Sequence, residues 1–126
     1  MQFKYTIFYV EDVGKTVDFY MRAFGLKLKM QHQSGDYAEL DTGPTTLSFS
    51  SMQLMDNLGK SPALANANSP TFEIAFETED VAKALNQAIQ TGAKQVQSPE
   101  LMPWGQTTAY VTDLNGYLVE ICTAIN

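Results

Sequence analysis

Two carboxylates stand where a mid-strand side chain can do chemistry. Glu120 lies in Tyr117-Leu118-Val119-Glu120-Ile121, and Glu73 lies in Thr71-Phe72-Glu73-Ile74-Ala75-Phe76-Glu77. A carboxylate among apolar neighbours can move a proton, hold a hard cation together with water, or attract an amine. Because side chains alternate along a strand, Leu118, Glu120 and Cys122 share one face, and Val119 and Ile121 the other. A Glu120 turned inward therefore needs a partner, since an unpaired buried carboxylate is costly. The remaining reactive residues are few. His32 is the only histidine, in the polar strand end Gln31-His32-Gln33, and reads as a surface residue. Cys122 is the only cysteine, which rules out an intrachain disulfide or a cysteine-based zinc cluster. Ser48 has no partner resembling a triad, and no Gly-rich phosphate loop or basic patch is present.

The elements that position these residues follow from pattern and punctuation. Phe3 to Val10 is a continuous aromatic and branched run that predicts a buried strand. Asp12 predicts a helix N-cap; Val13, Val17, Tyr20 and Phe24 form one apolar stripe, and Gly25 ends the helix. Strands are expected at Leu26 to Gln31, Tyr37 to Leu40 and Thr45 to Ser50, with turns at Ser34-Gly35-Asp36 and Thr42-Gly43-Pro44. The order then repeats. Thr71 to Glu77 reads as a strand, and Asp80 opens a helix with Val81, Ala84, Leu85, Ala88 and Ile89 on one face. Lys94 to Gln97 reads as a short strand and Ser98 to Pro103 as a loop. A hairpin closes the chain, its strands joined at Leu114-Asn115-Gly116. Met52 to Ser69 shows no sustained period and reads as a long connector; its Met52, Leu54, Met55 and Leu58 suit a cover over the core or a lid over a pocket.

The two halves overlay. A shift of 68 residues places Glu11-Asp12-Val13 on Glu79-Asp80-Val81 and Tyr5 on Glu73. A shift of 72 places Asp41 to Pro44 on Asp113 to Gly116 and Ser48 on Glu120. Tyr5, Ser48, Glu73 and Glu120 thus form two equivalent pairs within an internal repeat. The expected organisation is a first module over residues 1–51, a connector over 52–69 and a second module over 70–126.

Val10-Glu11-Asp12-Val13, Asp18-Phe19-Tyr20, Phe24-Gly25, Pro103-Trp104-Gly105 and Asp113 to Glu120, in this order and spacing, resemble the vicinal oxygen chelate superfamily. That superfamily includes glyoxalase I, bleomycin resistance proteins and extradiol dioxygenases, and the resemblance covers nearly the whole chain. It implies an α+β fold of two βαβββ modules, whose mixed sheets curve into cups with the helices on the convex side. In metal-dependent members the ligands come from the first and last strands of each module, and are His, Glu or Gln. Here those slots hold Tyr5, Ser48, Glu73 and Glu120, a set without imidazole or thiolate. Bleomycin resistance proteins keep the cup without the metal and bind bulky, planar or cationic molecules, usually between two chains of a dimer. By that likeness Tyr5, Tyr9, Ser48, Glu73, Trp104, Tyr110 and Glu120 are the expected ligand-binding residues. Aromatic rings stack on flat groups and carboxylates attract amines.

The formal charge of −6 argues against a nucleic acid partner, because phosphate neutralisation needs Lys and Arg. No opening run has the length of a membrane span or the layout of a secretion signal, so a cytoplasmic protein is expected. The leading expectation is a homodimer that binds or sequesters a partly aromatic or cationic small molecule, without cofactor and without turnover. The alternatives are a glyoxalase-like lyase or isomerase using Glu73 and Glu120, with or without a divalent metal there, and a partner-binding module whose cup its own side chains fill.

Overall fold

Both long helices start and stop where their punctuation dictates. In a computed structural model, which describes residues 1–125, α1 (Val13–Phe24) opens with the Asp12 carboxylate accepting from the Lys15 N–H at 2.9 Å. It ends on Gly25 in the left-handed region, at φ 69. In α3 (Val81–Thr91), Asp80 accepts from the Lys83 N–H at 3.0 Å and Gly92 closes the helix. Asn126, the last residue of the expected second module, lies outside the described residues.

Around these helices the strands form two four-stranded mixed sheets. The first contains β1 (Tyr5–Val10), β2 (Lys27–Gln31), β3 (Tyr37–Asp41) and β4 (Thr46–Ser51), ordered β1-β4-β3-β2. The second contains β5 (Glu73–Glu77), β6 (Lys94–Leu101), β7 (Thr107–Thr112) and β8 (Leu118–Cys122), ordered β5-β8-β7-β6. Within each sheet only the first and last strands run parallel, as the repeat requires. The chain groups into two compact units, residues 1–21 with 25–64 and residues 22–24 with 65–126. The α+β architecture of two βαβββ modules expected from the sequence is the one observed.

Each unit buries one sheet face, but with different side chains. In the first, Phe8, Val10, Ala38, Leu40 and Phe49 are fully buried with Tyr20 of α1. The Tyr20 ring lies 5.1 Å from that of Phe49 and 6.4 Å, edge-on, from that of Phe8. In the second, Ala109, Val111, Val119 and Ile121 are buried with Leu85 and Ala88 of α3. Alanine lets α3 lie close on β6, β7 and β8, whereas aromatic rings hold α1 off its sheet.

Three local expectations are corrected. Ser98 to Pro103 is not a loop: β6 continues through Pro99 to Leu101 as an edge strand. Its pairing with β7 shifts register between Gln95 and Gln97 and again between Gln97 and Glu100, so a residue without an N–H is tolerated there. The connector begins with a helix, α2 (Met52–Asn57), capped by the Ser51 hydroxyl accepting from the Leu54 N–H at 3.0 Å. Six residues are too few for periodicity to reveal. The first strand of each module starts late, at Tyr5 and Glu73. No helix among the described residues is long and apolar enough to cross a membrane.

Candidate functional site

The sheet face away from the buried core carries the polar residues, and pairing register fixes which of them are neighbours. In the second unit one row runs Ala75, Glu120, Tyr110, Gln97 across β5, β8, β7 and β6. In the first unit the matching row is Ile7, Ser48, Glu39, Met30 across β1, β4, β3 and β2. Ser48 and Glu120 hold the same place, as the internal repeat predicts. Their cross-strand neighbours differ in chemistry.

In the second unit the Tyr110 hydroxyl donates a short hydrogen bond to the half-buried Glu120 carboxylate. Burial, the bond to Glu120 and the nearby charge of Glu73 push the Tyr110 phenol well above its ordinary range. Glu73 itself sits exposed at the start of β5. Structure thus brings three of the expected residues together, with Glu73 and Glu120 beside a Tyr110 phenol that keeps its proton. Cys122, next on the Glu120 face, is buried and donates weakly to the Phe76 carbonyl at 3.6 Å. Burial and the Glu120 carboxylate push its thiol up to about 11, so it is no nucleophile at neutral pH.

In the first unit Ser48 is fully buried and donates to the Thr6 carbonyl at 3.4 Å. Three residues not expected from the sequence, Tyr37, Glu39 and Lys29, complete this cluster. The Tyr37 hydroxyl donates to Glu39 at 2.9 Å, and Lys29 Nζ lies 4.0 Å from the same carboxylate. Burial raises the Tyr37 phenol; a hydrogen bond from Ser48 lowers it, and Glu39 and Tyr5 raise it. Tyr5 is 45% exposed on β1, and Tyr9 follows four residues on, on the same face, in the row Tyr9, Ser50, Tyr37.

Register explains why Tyr37 and Glu39 escape a sequence reading. A constant shift of 72 would place Glu39 on Val111 and Tyr37 on Ala109, both buried in the core. The structure instead pairs Tyr110 with Glu120 and Glu39 with Ser48. The two hairpins close differently. Asp113 N–H donates to the Tyr117 carbonyl at 3.0 Å, while the first turn is closed by the Thr42 hydroxyl, which donates to the Thr45 carbonyl and accepts from the Leu47 N–H. One residue of slip moves a strand's other face into the site.

Trp104 lies in the turn from Met102 to Gln106, 61% exposed, with its indole N–H donating to Gln106 Oε1 at 2.9 Å. Gln106 in turn donates to the Thr123 carbonyl at 2.9 Å and acts on the Cys122 thiol. The indole is therefore fixed in orientation while its ring faces solvent. His32 is exposed, as expected, with Nδ1 paired to the Ser34 hydroxyl at 2.8 Å.

Residues 3–126 match the model of the glyoxalase-like domain. The chain is 27% identical to the uncharacterised protein YraH of Bacillus subtilis (strain 168) over 115 residues, which are 89% of this chain and 90% of that protein. It is 28% identical over 125 residues to a lactoylglutathione lyase of Arabidopsis thaliana, covering 95% of this chain but only 43% of the relative. Among solved structures, a glyoxalase/bleomycin resistance protein/dioxygenase family enzyme from Burkholderia phytofirmans PsJN superposes with a TM-score of 0.84 at 20% identity, over 95% of this chain and 96% of that one.

Proposed function

The chain belongs to the glyoxalase-like domain family, and from that premise we propose that it binds a partly aromatic, cationic small molecule without a resident metal. The observation that carries this reading is the second unit's Glu120, a half-buried carboxylate held by the neutral phenol of Tyr110 with Glu73 nearby. Two carboxylates around a protonated phenol leave negative charge for a ligand cation, and the phenol ring beside them favours a flat group. The metal-free part rests on donor chemistry. Of the four positions that metal-dependent relatives use as ligands, Ser48 is sealed in the sheet, its hydroxyl engaged by the Thr6 carbonyl and the Tyr37 phenol. Tyr5 offers a phenol in place of an imidazole, and Glu120 already accepts a phenolic hydrogen. Transition ions favour imidazole and thiolate, and this set does not fit one.

Titration with proflavine, a planar cation, beside its uncharged parent acridine tests the reading at neutral pH. Selective binding of proflavine by the wild type, weakened about tenfold in Glu120→Gln, is expected for a charged contact of this kind. Equal affinity for both dyes, or about one transition ion retained per chain after purification without chelator, would overturn it. We further propose that the protein acts as a homodimer, since each sheet leaves two edge strands open. Sedimentation at micromolar concentration checks this, and a monomeric mass refutes it.

A second reading draws on the 28% identity to lactoylglutathione lyase: a lyase or isomerase in which Glu120 carries a proton. Under it Glu120→Gln abolishes turnover. Absence of turnover across glutathione-conjugated and dicarbonyl substrates, with and without added divalent metal, removes it.

A further inference from the structure

The first unit holds a charge that neither its internal repeat nor its family slot accounts for. Where the second unit places a carboxylate on its last strand, at Glu120, the first places serine there, and the carboxylate reappears one strand over, at Glu39. Its side chain is only 16% exposed and is oriented by the Tyr37 hydroxyl at 2.9 Å. A carboxylate this enclosed needs compensation. The cation beside it, Lys29, is 49% exposed and sits at 4.0 Å, the outer limit of an ion pair. Lys29 also stands where β2 slips register, between Leu28 and Met30, so its backbone lies outside regular pairing. A pair this loose contributes little and is readily exchanged.

We infer that Glu39, oriented by Tyr37, is a second cation-binding carboxylate, and that a ligand amine displaces Lys29 from it. The inference rests on the proposed ligand class and deepens it: the first unit recognises an aromatic amine. Tyr37 supplies a phenol bonded to the carboxylate, and Tyr5, close enough to influence Tyr37 electrically, supplies a second ring for the ligand's flat part. Lys29 is then a placeholder that keeps Glu39 neutralised until a better cation arrives. This assigns opposite signs to the two members of one ion pair.

Proflavine and acridine, titrated fluorimetrically into wild type, Glu39→Gln, Lys29→Gln, Tyr37→Phe and the surface control Glu79→Gln, provide the test. Glu39→Gln is expected to weaken proflavine about tenfold and leave acridine unchanged, as loss of a charge-assisted contact does. Removing the competitor in Lys29→Gln is expected to tighten proflavine about two- to threefold. Tyr37→Phe weakens it less than Glu39→Gln, and Glu79→Gln changes nothing. A purely structural ion pair predicts instead that Glu39→Gln and Lys29→Gln both lower thermal stability and both weaken the two dyes; that pattern, or an unchanged proflavine affinity in Glu39→Gln, overturns the inference. Should Glu39→Gln fail to fold, the sign of Lys29→Gln decides alone, because weaker or unchanged proflavine binding there contradicts displacement. A loss in Glu120→Gln with none in Glu39→Gln rejects this site and leaves the proposed function standing. No proflavine binding by the wild type rejects both.

Discussion

The two units share strand order and register plan but solve opposite faces of their sheets differently. On the buried face the first unit uses a seam of rings, Phe8, Tyr20 and Phe49, where the second uses Leu85 and Ala88 against Val111, Val119 and Ile121. On the site face the first sets serine on its last strand and glutamate beside it, and the second sets glutamate there and tyrosine beside it. In both, a phenol donates to a carboxylate. The repeat therefore preserves backbone pairing and a phenol–carboxylate pairing, while the strand positions that supply them drift. What is held constant is a local chemistry rather than a residue at a slot.

The buried faces offer the largest effect. Tyr20→Ala empties a site that is fully enclosed, and is expected to cost about 3–5 kcal/mol in urea unfolding. Ala88→Leu in the second unit pushes a close helix off its sheet, and overpacking of that kind costs about 1–3 kcal/mol. If the Ala88 change were neutral, the contrast between a ring seam and a close alanine seam would not hold. Both variants are compared at their denaturant midpoints.

How much of this was legible beforehand depends on the range of the force involved. Asp12, Gly25, Asp80 and Gly92 mark helix ends through their own backbone neighbours, and the sequence places them correctly. The slot equivalence of Ser48 and Glu120 also survives, because β4 and β8 each follow their turn at the same distance. Glu39 and Tyr37 were not legible. Their place depends on a one-residue difference in how two hairpins close: the Thr42 hydroxyl closes one turn, and a backbone pair together with the Asp113 carboxylate, which accepts from the Asn115 and Tyr117 N–H groups, closes the other. The loop expected over Ser98 to Pro103 fails for a related reason: a strand admits Pro99 only at a sheet edge, and edge position is a tertiary fact.

On the site face the two phenols are expected to differ in degree. Tyr110 is affected by two carboxylates, Glu120 and Glu73, and Tyr37 by one, Glu39. A phenol whose folded pKa lies above its unfolded value of 10.0 holds its proton longer in the folded state. Stability from it is complete below that value and is lost as pH rises through the folded pKa. The Cys122 thiol adds a loss of the same sign between 9.0 and about 11. Tyr110→Phe is expected to flatten the alkaline fall in melting temperature more than Tyr37→Phe does, and at neutral pH to cost about 1–2 kcal/mol through the lost bond to a charged acceptor. Equal flattening by the two variants would remove the distinction between them. Ultraviolet absorbance of the phenolates, followed through the same range, reads the titration directly.

The smallest contrast lies in the turns that create the slip. Gly43 and Gly116 occupy the corresponding hairpin turns with almost the same backbone, φ 94 and φ 95. Any side chain there meets the left-handed penalty, about 1 kcal/mol in either unit. Their surroundings differ. A Cβ on Gly43 meets open space, whereas one on Gly116 would lie 3.3 Å from the Ala67 backbone N and 3.4 Å from the Ala65 carbonyl oxygen. Backbone cannot rotate aside as a side-chain tip can, so in Gly116→Ala the segment carrying Ala65 and Ala67 must shift. Gly116→Ala is therefore expected to destabilise by a few tenths of a kcal/mol more than Gly43→Ala. It should also speed amide exchange at residues 65–67, a change Gly43→Ala leaves absent. Equal costs with unchanged exchange would mean that the second turn is no more constrained by its neighbours than the first, and that the slip between the hairpins arises from the turn residues alone.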